Sequence, residues 1–189
     1  MVAGDFAGDG HAGVYAVQNS YAPIPSVGRF DGGLSQLLRG DGQGHLAPVP
    51  PAASGLVVPG DAKALAVLDL DQDGWPDFLV SRNNDSALAF HNNGRAGHRS
   101  FGVRLRAAAG NPTGVGARIS VELSDGSTQT SEVYAGSGLY SQSSPECFFG
   151  YPDTRPPRTI RVRWPNGSAS SQPFTGLPST LLLSQPPTP

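Results

Sequence analysis

In the first half of the chain, short apolar runs alternate with turns that are rich in glycine and aspartate. Such runs predict β-strands, because they are too short for helices and lack a 3.6-residue apolar stripe. The runs at 64–68 and 78–80 flank the most acidic of these turns. Further strands are predicted at 33–39, 45–49 and 86–91. This half is therefore expected to form small antiparallel sheets.

In the second half, apolar and polar residues alternate with a period of two, which predicts strands with one buried face. The predicted strands cover residues 101–106, 117–123, 159–164, 168–174 and 181–183. Asp125 and Gly126 lie in a short polar segment between two strands, as in a tight hairpin turn. The phase of the alternation places Trp164 on a buried face. About six strands over some 85 residues predict a small antiparallel β-sandwich or barrel.

The acidic turn carries four carboxylates, and such a concentration of charge needs a cation to offset the repulsion. Calcium fits best, because it takes six to eight oxygen ligands from alternate residues and a backbone carbonyl, with a glycine at the sharp turn. An EF-hand is excluded by Val80 at position 12 and by flanking segments that are not helical. The alternative is a solvated acidic turn. The predicted ligands are Asp69, Asp71, Asp73, the carbonyl of Trp75, and Asp77, with Gly74 at the turn.

Residues 2–17 repeat this pattern 64 residues earlier in the chain. Asp5 and Asp9 align with the first and third acids of the later loop, but Ala7 and Gly13 replace the other two. Because only two carboxylates remain, we expect this copy to keep the shape of the turn and to be, at most, a second and weaker metal site.

The strand–loop–strand pattern of residues 64–80 resembles the FG-GAP type of repeat found in β-propellers. The resemblance implies that each copy is part of a propeller blade and that the loop at 69–77 binds calcium. Two blades cannot close a ring, because propellers normally have four to eight. The exposed strand edges are therefore expected to be covered by blades outside this sequence or by another chain in an oligomer.

Five segments of the second half resemble, in order, the landmarks of the ASPIC/UnbV domain. The segments are residues 101–106, 111–119, 136–143, 149–150 and 162–167. Residues 151–153 depart from the family pattern. The expected organisation is all-β, with about two partial propeller blades at 1–94, a linker at 95–100, an ASPIC/UnbV-like domain at 101–185 and a disordered tail at 186–189.

The composition bears on turns, on charge and on possible partners. The chain has 25 glycines and 18 prolines, which favours turns and short elements. Formal charge is −6 over residues 1–94 and +4 over 95–189, but the arginines alternate with apolar residues as on a solvated sheet, so nucleic acid is not an expected partner. Cys147 is the single cysteine and is predicted to be buried. No membrane span is expected, because no apolar run reaches 18 residues.

These features favour a non-catalytic, calcium-stabilised extracellular module that acts in binding or adhesion, with a protein or glycan ligand. A signal peptide is not recognised at residues 1–5, so a secreted parent protein implies that this is a domain fragment. The alternative is a carbohydrate-binding accessory domain of a secreted enzyme, with Trp75 and Tyr140 facing the ligand. Enzymatic activity is not expected, because the chain lacks a paired-histidine zinc motif, a GxSxG elbow and a phosphate-binding loop.

Overall fold

The computed structural model describes residues 1–21, 24–176 and 178–187, and these residues are almost entirely β. The N-terminal unit (residues 1–94) contains β1 Val2–Gly4, β2 Gly13–Ala16, β3 Gln36–Gly40, β4 Leu46–Val49, the helical turn α1 Pro51–Ser54, β5 Ala62–Leu68, β6 Asp77–Arg82 and β7 Asp85–Phe90. The C-terminal unit (residues 98–187) contains β8 His98–Arg106, β9 Arg118–Leu123, β10 Thr128–Glu132, β11 Cys147–Pro152, β12 Pro157–Arg163, β13 Ala169–Pro173 and β14 Thr180–Ser184.

The N-terminal unit consists of two antiparallel sheets, in the orders β1-β2-β3-β4 and β5-β6-β7. The two sheets share one apolar core, in which the rings of Tyr15 and Phe78 lie 4.6 Å apart between centroids. Val80 is fully buried, as its place in the apolar run after the acidic loop predicts. The predicted pair of propeller-like blades is thus confirmed, one with four strands and one with three.

The C-terminal unit consists of the sheets β10-β9-β12-β13 and β11-β8-β14, whose apolar faces enclose one core. Ile119, Val121 and Trp164 are buried in it, as the period-two alternation predicts. Cys147 is also buried, again as predicted. The arrangement is a sandwich, and no closed barrel is present in the described residues.

Three details of this unit differ from the sequence-based expectation. First, β14 runs parallel to β8, because the chain crosses from β13 to the other sheet before it pairs. Second, β8 begins inside the predicted linker, since residues 98–100 pair with residues 150–152. Third, β11 was not predicted: Phe149, Gly150 and Tyr151 are all buried, so this strand lacks the alternation of a strand with one solvated face.

The two units contact each other through backbone groups. Val67 on β5 accepts a hydrogen bond from the N–H of Ser144 at 3.0 Å and donates one to the hydroxyl of Ser143 at 3.0 Å. No helix in the described residues is long and apolar enough to cross a membrane. Of the predicted tail, residues 186 and 187 have no regular secondary structure, and residues 188 and 189 lie outside the described residues.

Candidate metal centre

The acidic loop between β5 and β6 is held in shape by the carboxylate of Asp69. This carboxylate accepts hydrogen bonds from the N–H groups of Gln72 at 2.8 Å, Gly74 at 3.0 Å and Asp73 at 3.2 Å. Gly74 has φ of +87°, a left-handed conformation that glycine adopts without strain. The glycine at position 6 therefore makes the sharp turn that the sequence predicts.

Asp77, the first residue of β6, is the fully buried member of the acidic set. Its two carboxylate oxygens accept hydrogen bonds from the N–H of Leu70 at 2.8 Å and from the N–H of Asn92 at 2.7 Å. Asp77 thus ties the start of the loop to the segment after β7. No cationic side chain forms an ion pair with it in the part of the chain that the structure describes, and its hydrogen bonds there come from backbone N–H groups.

The loop brings the predicted ligands together in two overlapping groups. Oxygens of Asp69, Asp71 and Asp77 all lie within 4.8 Å of one another, as do ligand atoms of Asp71, Asp73 and His91. Two oxygens on opposite sides of a calcium ion, each about 2.4 Å from it, are separated by a similar distance. The all-oxygen donor set of the first group therefore fits a hard divalent cation.

His91 lies beside these carboxylates, although the sequence does not single it out as a candidate ligand. Its Nε2 lies 2.7 Å from Oδ2 of Asp71 and 3.8 Å from Oδ2 of Asp73, and its Nδ1 lies 3.2 Å from Oδ1 of Asn93. The contact with Asp71 raises the pKa of His91. The available signal was its position directly after β7, the strand that pairs with β6.

The carboxylates of the loop repel one another, and a bound cation would offset this repulsion. Partial burial raises the pKa of Asp73, and the charges of Asp71, Asp69 and Asp77 raise it further, whereas the hydrogen bond from the Trp75 N–H works in the opposite direction. Each additional negative charge makes ionisation of this carboxyl less favourable. A bound cation reverses this effect, because it stabilises every ionised carboxylate around it.

The earlier loop keeps the same shape with fewer ligands. The carboxylate of Asp5 accepts hydrogen bonds from the N–H groups of Gly10 at 2.8 Å and Asp9 at 3.3 Å, as expected for a degenerate copy. Asp9, however, is paired with the guanidinium of Arg39 at 2.6 Å. No group of three metal-ligating side chains in the described residues includes Asp5 or Asp9. The predicted weaker metal site thus has two carboxylates, one of which already has a cationic partner.

The two aromatic residues that were predicted to face a ligand differ in their surroundings. The indole of Trp75 packs against two glycines: a Cβ on Gly8 would lie 2.5 Å from its Cη2, and one on Gly94 would lie 2.8 Å from its Cε2. This packing argues against Trp75 as a ligand-stacking residue. Tyr140 remains 83% exposed.

Comparison with family models finds two matches along the chain. The model described as FG-GAP-like repeat matches residues 5–80, and the model described as ASPIC and UnbV matches residues 107–186. The chain carries an FG-GAP-like repeat followed by an ASPIC and UnbV domain. The FG-GAP-like match spans both acidic loops, and the ASPIC and UnbV match spans most of the sandwich. No curated protein matches the chain.

Proposed function

We propose that this chain is a non-catalytic, calcium-stabilised extracellular module that acts in binding or adhesion. The observation that carries the calcium part is the convergence of Asp69 and Asp71 on Asp77, a carboxylate that is 0% exposed and has no ion-pair partner in the described residues. Burying an ionised carboxylate is costly unless it is paired or coordinates a metal. Both matched families are typical of extracellular proteins, which supports the proposed location.

The proposed ion has a structural role. Asp69 organises the loop, and Asp77 connects the loop to Asn92 after β7, so one cation would hold together the end of β5, the start of β6 and the exit of β7. Ligand binding to the folded state alone stabilises it by about 2.7 kcal/mol at a hundredfold excess over Kd. The ion would therefore add rigidity to the three-stranded sheet without taking part in a reaction.

A non-catalytic role agrees with the state of the strongest nucleophile in the chain. The thiol of Cys147 is buried, and burial raises its pKa, so the reactive thiolate is disfavoured.

The edge strand β7 is exposed along most of its length. We propose that this edge is covered by further blades or by a second chain, because an uncovered edge is prone to pair with other strands.

Thermal unfolding in calcium and in EGTA tests the proposal. We expect a higher Tm in calcium for the natural sequence and the loss of this difference in Asp71→Asn and in Asp77→Asn. Asp41→Asn is the matched control, because Asp41 also contacts a histidine, His45, at 2.8 Å but belongs to no group of metal-ligating side chains in the described residues. Equal Tm values in calcium and EGTA for the natural sequence would contradict a stabilising ion.

One observation favours the carbohydrate-binding alternative. The exposed Tyr140 lies beside Leu139, which is 66% exposed, in the loop between β10 and β11, and Tyr134 at the start of that loop is 65% exposed. Aromatic side chains with one apolar face and a polar tip are suited to contacts with carbohydrate. Pull-down on insoluble polysaccharides separates the two functions: retention that Tyr140→Ala abolishes supports the alternative, and absence of retention on every polysaccharide removes it.

A further inference from the structure

The two acidic loops share one hydrogen-bond framework, so they can be compared residue by residue. In each loop the first aspartate accepts the N–H of the glycine five residues later: Asp5 from Gly10 at 2.8 Å, and Asp69 from Gly74 at 3.0 Å. In each loop the third acid position accepts the N–H two residues later, at 3.1 Å in the first copy and 2.8 Å in the second. Differences between the loops therefore arise from the side chains around a common backbone.

The third strand of each blade presents an equivalent position to its loop. Leu38 on β3 pairs with Val14, and Phe90 on β7 pairs with Phe78. Val14 and Phe78 are 64 residues apart, which is the spacing of the repeat. The residues that follow Leu38 and Phe90 in the chain thus occupy the same place beside the two loops.

In the first copy this place holds Arg39. Its Nη2 and Nε lie 2.6 Å and 3.1 Å from the same oxygen, Oδ2 of Asp9, and Asp9 is only 8% exposed. A guanidinium is always charged in proteins and presents several donors in a fixed plane. Arg39 therefore supplies a permanent positive charge to the buried carboxylate of this loop.

In the second copy the same place holds His91, which contacts Asp71 and lies 3.8 Å from Asp73. An imidazole carries at most one positive charge, whereas this loop contains four carboxylates. The side chain at this position thus leaves a large negative excess in the second loop, and a divalent cation is the species that fits it.

The ninth position of the loop also differs between the two copies, and again the first copy carries less negative charge. The second copy has Asp77 there, and the first copy has Gly13, where a Cβ would lie 2.6 Å from the carbonyl oxygen of Leu38. A side-chain carboxylate cannot enter the first loop at this position unless β3 moves. The first loop therefore lacks two of the four acids and has an arginine where the second loop has a histidine.

We propose that the residue that follows Leu38 or Phe90, the paired residue of each third strand, determines which cation each loop takes. Arg39 supplies a guanidinium to the first loop, whereas His91, which contacts Asp71, leaves the four carboxylates of the second loop with an excess of negative charge for a divalent metal ion. The part that concerns the second loop rests on the proposed calcium site. The part that concerns the first loop rests on the ion pair alone.

Exchange of the residue tests the second loop. We expect His91→Arg to place a guanidinium among the acids of this loop, to weaken calcium binding at least tenfold in calorimetric titration of the full chain, and to leave Tm in EGTA at or above that of the natural sequence. His91→Gln, which adds no charge, should bind calcium as the natural sequence does. Calcium affinity within twofold of the natural value in His91→Arg would overturn the proposal.

A second variant tests the first loop without any metal. We expect Arg39→Gln to lower Tm in EGTA, because the buried carboxylate of Asp9 loses its cation, and Arg39→Lys to recover part of the loss. An unchanged Tm in Arg39→Gln would overturn this half. If the natural sequence shows no response to calcium, the calcium site fails as proposed, and the Arg39 variants alone decide whether a side chain neutralises the first loop.

Discussion

The N-terminal and C-terminal units are both built from two small sheets, but different interactions stabilise them. Among the residues that the structure describes, fifteen buried residues form the core of the C-terminal unit, whereas eight form that of the N-terminal unit. The N-terminal unit instead contains four of the five buried acidic residues. The four are Asp5, Asp9, Asp61 and Asp77, and the fifth is Glu146 in the C-terminal unit.

The buried acids differ in the groups that compensate them, and the differences bear on the proposed metal site. Arg39 pairs with Asp9, Lys63 with Asp61, and Arg104 with Glu146. In contrast, the hydrogen bonds of Asp5 and Asp77 in the described residues come from backbone N–H groups. A small apolar core can thus be supplemented by polar loops, provided that every buried charge has a partner. Of the two acids without a cationic side chain, Asp77 is the one that belongs to a group of three carboxylates.

The largest expected effect comes from the core of the C-terminal unit. Phe101→Ala should destabilise this unit by about 3–5 kcal/mol, because it removes a ring that packs on Phe149 and Phe174 and leaves a cavity. The loss should be the same in calcium and in EGTA, measured by urea unfolding. A loss that depends on calcium would show that the cation stabilises both units, which would weaken the contrast between them.

An intermediate effect is expected where the acidic loop meets the C-terminal unit. Gly74→Ala introduces a Cβ at φ of +87°, 2.7 Å from the carbonyl oxygen of Ser179 and 3.0 Å from that of Ser100. Backbone strain of this kind costs about 1–3 kcal/mol. We expect faster amide exchange in β5 and β6 and easier proteolysis at residues 95–97. Gly126→Ala is the control, because its φ of +85° is similar but, apart from its chain neighbours, no atom of the described residues would lie within 4 Å of the added Cβ. Equal behaviour of the two variants would show that the contact between units is unimportant.

The sequence predicts the features that depend on local pattern and not those that depend on strand register. The 64-residue repeat, the acidic loop and the buried phase of Trp164 are all visible in the order of residues. The contacts of Arg39 and His91 are not, because each residue reaches its loop through the pairing of a third strand with the second. β11 was missed for a related reason: Gly150 is buried on the face toward the N-terminal unit, where Gly8 approaches it, so the period-two signal is absent.

The smallest expected effect is a difference in pH dependence between the units. Burial raises the pKa of Asp5 above its ordinary value of 3.8, so the folded state retains a proton that the unfolded state has lost. This contribution to stability is complete below the unfolded pKa and is lost as pH rises through the folded pKa. In the C-terminal unit the hydroxyl of Ser127 lowers the pKa of Asp125, so its contribution is present above the unfolded pKa and is lost as pH falls through the folded pKa.

Thermal unfolding in EGTA across the acidic range measures both contributions. Asp5→Asn should remove a decline of Tm with rising pH, and Asp125→Asn should remove an increase. Asp31→Asn serves as the control, since Asp31 is an exposed acid paired with Arg29 at 2.8 Å on the protein surface. A change of the slope of Tm against pH in the same direction in both variants would contradict this prediction. The buried Asp5 and the exposed Asp125 would then contribute to pH dependence in the same way, and the contrast between the units would not extend to their titration.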